Sequence, residues 1–328
     1  MRTNKFLVIA LAAAGLFTAC SNNDEPVKMN QGKEISFRLQ GGVPSAKTTA
    51  STVANVDAFV VYGSDTNLPS LFDGVTVARQ IVSGAPAGFT YAPIRYYSTG
   101  ATTAAYAAYS PASTVFSAVS AANVLGAIST FDFEVVAPDA SGKTTQTDLL
   151  FAINNAAPVA APPVALAFTH ALSRVFVTAT NKTITPVTIQ SLTLKNLNST
   201  GRISVAAGAG TWSWTYPTDT PADYEYMLAP SGIVVPVDAT PATPTPVLVT
   251  SMEQGMMILP QTTGATFELE VKYEFSNLGP QTKHIVIPSY TFVRNTQYSI
   301  NIEFDGTGIY FTITVSDFTP VAPTPVNP

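Results

Sequence analysis

"TQYSINIEFDGTGIYFTITVSDF" runs from Thr296 to Phe318 and holds the fold class in miniature. Two alternating stretches flank Asp305-Gly306, a pair that supplies tight-turn chemistry. Alternation at period two turns one face of each stretch to a core, so this segment reads as an antiparallel hairpin. Ile309, Phe311, Ile313 and Val315 share one face of its last strand. The tail "TPVAPTPVNP" (319–328) is too rich in proline to pair and is expected to be extended.

The same grammar extends upstream. "LAFTHALSRVFVTAT", "VTIQSLTLKNL", "GRISVAA", "TWSWTY", "GMMILPQ", "ATFELEVKYEFS" and "KHIVIP" alternate or run apolar. In the first half, "VDAFVVYG", "FDFEVV" and "DLLFAIN" do likewise between loops rich in Gly, Pro and Ser. Near the start, Ile35, Phe37 and Leu39 of "ISFRL" alternate with Ser36 and Arg38. Alanines between Pro111 and Leu125 leave room for one short helix. "FDG" at Phe72 to Gly74 reads as a turn. Many short strands without helical spacers predict an all-β protein of antiparallel sandwiches with Greek-key connections.

At 328 residues the chain exceeds one ordinary core, and two tandem domains are expected. "NNAAPVAAPPVA" (Asn154 to Ala165) has prolines that remove ladder donors and alanines that offer little to bury. It reads as the interdomain linker. The expected division is a signal peptide (1–19), a tether (20–33), a first sandwich (34–155), a linker (156–165), a second sandwich (166–318) and the tail.

Charged residues make up only 11% of the chain, and its formal net charge is -5. The few cations are scattered, which argues against a nucleic-acid partner. Cys20 is the only cysteine, so no intramolecular disulfide is expected. A positive start at Arg2 and Lys5 and a short apolar run precede it. "LFTAC" resembles the bacterial lipobox, with Phe17 where Leu is usual, and "SNNDEP" resembles the export signal of surface lipoproteins. The resemblance implies cleavage before Cys20 and acylation of its thiol.

Chemistry is sparse. His170 and His284 lie in separate strand-like runs, each better suited to packing or surface than to a base or ligand. No Cys/His cluster or dense acidic loop suggests a metal, and "AAGAGTW" lacks the setting of a phosphate loop, so no cofactor is expected. Trp212 and Trp214 share a strand face with Tyr216 and suggest two roles, a glycan-stacking platform or a buried contact. The core role is favoured, because aromatics bury so much apolar area. A hydrolase would need a nucleophile, base or metal set that the sequence does not display.

"DLLFA", "LAFTHALSRVFV", "SLTLKNLNSTGRISV" and "MMILPQ" fall in an order that resembles the Mfa-like branch of the fimbrillin family of Bacteroidota. The opening lipobox, "ISFRL" and "ITVSDF" fit the same series. The resemblance implies a type V pilus subunit of two transthyretin-like β-sandwich domains, exported to the outer membrane as a lipoprotein. It also implies that a protease removes the first strand, Ile35, Phe37 and Leu39, and that a neighbouring subunit's C-terminal strand fills the groove. Ile309, Phe311, Ile313 and Val315 are the expected donor. Cleavage in that family follows an arginine, whereas the loop here carries Lys47 and Arg38 lies inside the strand. Lys47 is therefore the expected cut site. Expected partners are other fimbrial subunits, the processing protease, the membrane through Cys20 and a host or bacterial surface receptor. An uncut anchor or tip subunit, or a monomeric glycan-binding lipoprotein using Trp212 and Trp214, are the alternatives.

Overall fold

The computed structural model describes residues 33–40, 56–82, 85–120, 124, 126–136, 146–160, 163–207, 210–216, 221–227, 232–238, 245–250, 255–276, 278–306 and 308–317. Cys20, Lys47, the signal peptide and the tail lie outside them. The strands of the first half are β1 (Phe37–Leu39), β2 (Ala58–Asp65), β3 (Phe72–Val82), β4 (Ala85–Thr90), β5 (Thr103–Ser110), β6 (Ala118–Ser120), β7 (Ser129–Glu134) and β8 (Leu150–Pro158). Next come β9 (Val164–Leu166), β10 (Thr169–His170), β11 (Ser173–Asn181), β12 (Val187–Asn198), β13 (Thr200–Val205), β14 (Trp212–Thr215) and β15 (Pro221–Met227). The chain closes with β16 (Ile233–Val235), β17 (Val247–Leu248), β18 (Met256–Ile258), β19 (Glu268–Phe275), β20 (Gly279–Val286), β21 (Thr296–Asp305) and β22 (Gly308–Asp317). The protein is all-β, as its alternation predicts.

A six-stranded sheet in the order β10-β8-β5-β2-β3-β4 dominates the first half. Its central strands are buried on both faces. Phe59, Val61, Tyr106, Ala108, Leu150 and Ala152 point into one core, and Val60, Ala105, Ala107, Tyr109 and Phe151 point into another. A strand covered on both sides loses the polar half of its alternation, which explains the continuous apolar run "TAAYAAYS" of β5. Across the first core lies a small sheet of β1 and β9, paired in parallel.

The second half stacks two five-stranded sheets. One runs β17-β11-β21-β22 with β18 also on β11, and the other runs β15-β12-β19-β20 with β16 also on β12. A fourth layer joins the halves, because β7 pairs with β13 in the sheet β14-β13-β7-β6. Arg202 of β13 grips Asp132 of β7, with Nη2 2.7 Å from Oδ2. Gln146 adds a second tie, accepting from the Met257 amide at 2.8 Å and donating to the Met257 carbonyl at 2.9 Å.

Three expectations need correction. The stretch 156–165 is not a bare linker. β8 continues to Pro158 against β5, and β9 begins at Val164 against β1, so Pro158 and Pro163 sit at strand ends where a missing donor costs little. Between Pro111 and Leu125 no described residue is helical, and Ala118–Ser120 forms β6. Phe72–Gly74 opens β3 rather than forming a turn. Asp73 and Gly74 face Tyr62 across a register shift, and Gly74 takes the positive φ (66°) that such a bulge favours.

Asp65, at the end of β2, holds two loops in place. Its carboxylate accepts from the amides of Asn67 (2.8 Å), Leu68 (2.7 Å) and Ser98 (2.9 Å) and from the Ser98 hydroxyl (2.7 Å). Burial alone would raise its pKa, but these hydrogen bonds outweigh burial and hold it below the usual carboxylate range. A group with a lowered folded pKa contributes stability above its unfolded value and loses that contribution as pH falls through the folded one. Asp65→Ala is expected to cost about 2–3 kcal/mol at pH 7 in urea denaturation. The gap from wild type should narrow steadily as the pH is taken from 5 toward about 2.

Candidate functional site: the first strand, its groove and the last hairpin

β1 is only three residues long, so its backbone ladder is short and side-chain burial must hold it. Ile35 and Phe37 are buried, Phe37 at 4% exposure, while Arg38 faces solvent. Leu39 is partly buried against the same core. Phe37 fills an aromatic cage. Its ring centroid lies 5.4 Å from Phe72, 5.5 Å from Tyr106, 5.8 Å from Phe59 and 5.9 Å from Tyr91, all edge-on. Edge-to-face geometry adds to area burial at each of these contacts. Gly63 makes one wall possible, since a Cβ there would stand 2.6 Å from Tyr106 Cδ1.

The groove grips the backbone of this strand from both sides. The Ile35 amide donates to the Arg95 carbonyl (3.0 Å), and the Tyr91 hydroxyl donates to the Ile35 carbonyl (2.6 Å). On the other side, the Val164 amide donates to the Ser36 carbonyl (2.7 Å), and the Gln40 amide donates to the Leu166 carbonyl (2.8 Å). Burial pushes the Tyr91 phenol up to about 12, and it raises Tyr97 and Tyr106 as well. These tyrosines therefore stay neutral at any physiological pH, and Tyr91 keeps the proton it donates to Ile35.

β22 is the contrasting element. It closes its sheet as an edge strand, paired among the described strands with β21, with Ile302 opposite Phe311 and Ile300 opposite Ile313. Ile309, Phe311 and Ile313 are half-buried against the second core. Val315 does not share that burial and is 57% exposed. Between Ile309 and Ser316 the strand carries no charge. β20, the edge strand of the facing sheet, is defended by Pro280, Lys283 and His284, residues that discourage further pairing.

The remaining candidates do not converge. Trp212 is 8% exposed, packed at 5.1 Å against Phe151 and covered by the Arg294 guanidinium, 3.8 Å from its ring centroid. Trp214 donates its indole N–H to the Ala171 carbonyl at 2.8 Å, and Tyr216 donates to the Pro260 carbonyl. The Trp212 ring thus has no open face for a sugar. His170 is 2% exposed and lies 2.9 Å from the Asp148 carboxylate at the junction of β10 and β8. His284 sits 3.1 Å from Glu268 on an exposed sheet face of the second half.

Sequence reasoning found β1, β22 and the expectation of a groove beneath β1, but not the residues that line it. Phe59, Phe72, Tyr91 and Tyr106 come from three strands and a loop, and periodicity within one strand cannot say which rings meet. β9 was hidden by the prolines beside it.

A sequence model described as Fimbrillin-like matches residues 45–317. The chain belongs to the fimbrillin-like family. β1 lies ahead of the matched span. Among solved structures, a fimbrial protein from Bacteroides vulgatus is 14% identical, with a TM-score of 0.61 over 87% of this chain and 99% of its own. A candidate cell adhesion protein from Bacteroides uniformis is 15% identical, with a TM-score of 0.53 over 88% and 98%. These likenesses are of fold. No curated protein matches the chain. Membership of the fimbrillin-like family supports a fimbrial or adhesion role.

Truncating the caged ring tests the packing directly. Phe37→Ala is expected to lower unfolding stability by about 3–5 kcal/mol, because the cage cannot collapse onto a methyl group. Tyr91→Phe, which leaves the Ile35 carbonyl without that donor, should cost about 1–2 kcal/mol in the same urea titration.

Proposed function

We propose that this protein is a structural subunit of a surface fimbria that polymerises by exchanging strands. The observation that carries the reading is the pairing of a short, side-chain-anchored first strand with an uncharged, half-buried edge strand at the other end of the chain. A strand held mainly by Ile35, Phe37 and Leu39 is separable once the loop after it is cut. Its loss would uncover an apolar groove, an open edge of β9 and the Tyr91 hydroxyl and Arg95 carbonyl that hold the Ile35 backbone. A complementary strand relieves all three by backbone pairing and burial, each large apolar residue contributing about 1.5–3 kcal/mol. β22 can leave without splitting the sheet, since it is the edge strand and its ladder partner among the described strands is β21.

On this reading the precursor is cut before Cys20, acylated there and anchored in the outer membrane. Acyl chains supply about 0.8 kcal/mol per buried methylene, enough for a firm tether. A trypsin-like protease then cuts after Lys47 and releases β1, and the chain joins other subunits as two tandem sandwiches with no catalytic role. An anchor subunit would differ only in keeping β1 and the lipid.

Intact mass and N-terminal sequencing test this on sheared surface filaments and on outer membrane, taken separately. Filament chains should begin just after Lys47, and the membrane precursor should begin at acylated Cys20. Cys20 at the start of every chain would overturn the polymerising role in favour of an anchor. Recovery of the same processed end from Lys47→Ala would move the cut site elsewhere.

A further inference from the structure

Ile-x-Phe followed two positions on by Leu or Ile occurs twice in the sequence, at Ile35-Phe37-Leu39 and at Ile309-Phe311-Ile313. The first is β1 with the residue that leads into it, and the second is the core-facing side of β22. The outward positions also correspond, since Arg38 is exposed in one, and Tyr310 and Thr312 are exposed in the other. We infer that β22 of a second copy of this chain enters the groove in the same direction and register as β1. Phe311 then occupies the cage of Phe37, with Ile309 in the place of Ile35 and Ile313 in the place of Leu39. The inference rests on the strand-exchange reading above and adds to it the alignment of donor and groove.

The cage sets the register. Four rings surround Phe37 at 5.4–5.9 Å, a space shaped for an aromatic edge. Of the four apolar residues on the inner side of β22, only Phe311 is aromatic. A slide of two residues would put Ile309 or Ile313 in the cage, leaving a void there, and would force a phenyl ring into a site that holds Ile35 or Leu39. A slide of one residue would turn Tyr310 or Thr312 inward and expose the apolar set.

The backbone sets the direction. Ile-x-Phe-x-Ile reads alike both ways, so side chains alone do not choose. The polar groups of the groove do. Arg95 O, the Tyr91 hydroxyl, Val164 N and Leu166 O are spaced for a strand parallel to β9. Inserted like β1, β22 offers them Ile309 N, Ile309 O, Tyr310 O and Thr314 N in the same order. A reversed strand presents the antiparallel spacing of donors and acceptors, which this set does not match.

Arg38 pairs with Ala165 in the β1–β9 register, so the inferred alignment brings Thr312 of one subunit opposite Ala165 of the next. Paired strand positions fall within the Cα separation that a disulfide spans. Full-length chains carrying Ala165→Cys are co-expressed with full-length chains carrying Thr312→Cys, Tyr310→Cys or Thr314→Cys, all at exposed sites of β22. Filaments are then sheared, mildly oxidised and searched by mass spectrometry for joined peptides. A 165–312 link is expected. A dominant 165–310 link means a reversed strand or a slide of two residues one way, and 165–314 means a slide the other way. Either overturns the alignment while leaving strand exchange intact. Filaments with no link from any of the three overturn strand exchange through this groove. As a second readout, Phe311→Ala should lower filament yield about tenfold more than Ile313→Ala. Equal losses would overturn the cage as the pocket that selects the donor.

Discussion

Double burial of the central sheet is the constraint on which the rest of the protein depends. β2, β5 and β8 carry apolar side chains on both faces, so each face requires its own cover. The β1–β9 pair covers one, and the layer joining the halves, with the sheets of the second half behind it, covers the other. Neither cover is optional. With no cysteine after Cys20 in the sequence, the arrangement rests on packing, on the β7–β13 ladder and on a few polar ties such as Asp65 and Gln146. The small β1–β9 sheet is the weaker cover, because it has few backbone hydrogen bonds and relies on one caged ring.

How much of this was legible in the sequence differs by element, and the reason is physical. The β21–β22 hairpin is legible because alternation and an Asp-Gly turn are local signals that nothing distant overrides. β5 is harder, since burial on both faces erased its alternation and its alanines suit a helix equally well. The stretch 156–165 misled because proline content reports missing donors without saying whether those donors face a partner. At Pro158 the ladder ends, so little is lost, and β9 resumes pairing at Val164. The β7–β13 ladder was illegible. Asp132 and Arg202 stand 70 residues apart, and no periodic pattern names a strand's neighbour.

The candidate site divides along the same line. Ile35, Phe37 and Leu39 announce an inward face by their spacing, as do Ile309, Phe311 and Ile313. Nothing in the spacing reveals that Phe37 is enclosed by four rings or that Val315 escapes the core. Trp212 and Trp214 illustrate the limit from the other side. Alternation puts both on one face of β14, but only the fold supplies the Arg294 guanidinium and the Phe151 ring that cover Trp212.

The layer that joins the two halves also has a mechanical meaning. The groove around β1 lies in the first half and β22 lies in the second, and the β7–β13 ladder ties the halves alongside the short covalent passage from β10 to β11. That ladder pairs six residues, from Thr200 opposite Glu134 to Val205 opposite Ser129, and Arg202 braces its middle through Asp132. A connection through one flexible linker would let the halves swing and extend before bearing load. A shared sheet braces the halves against such swinging, so moving one relative to the other means parting paired strands and not only bending a connection.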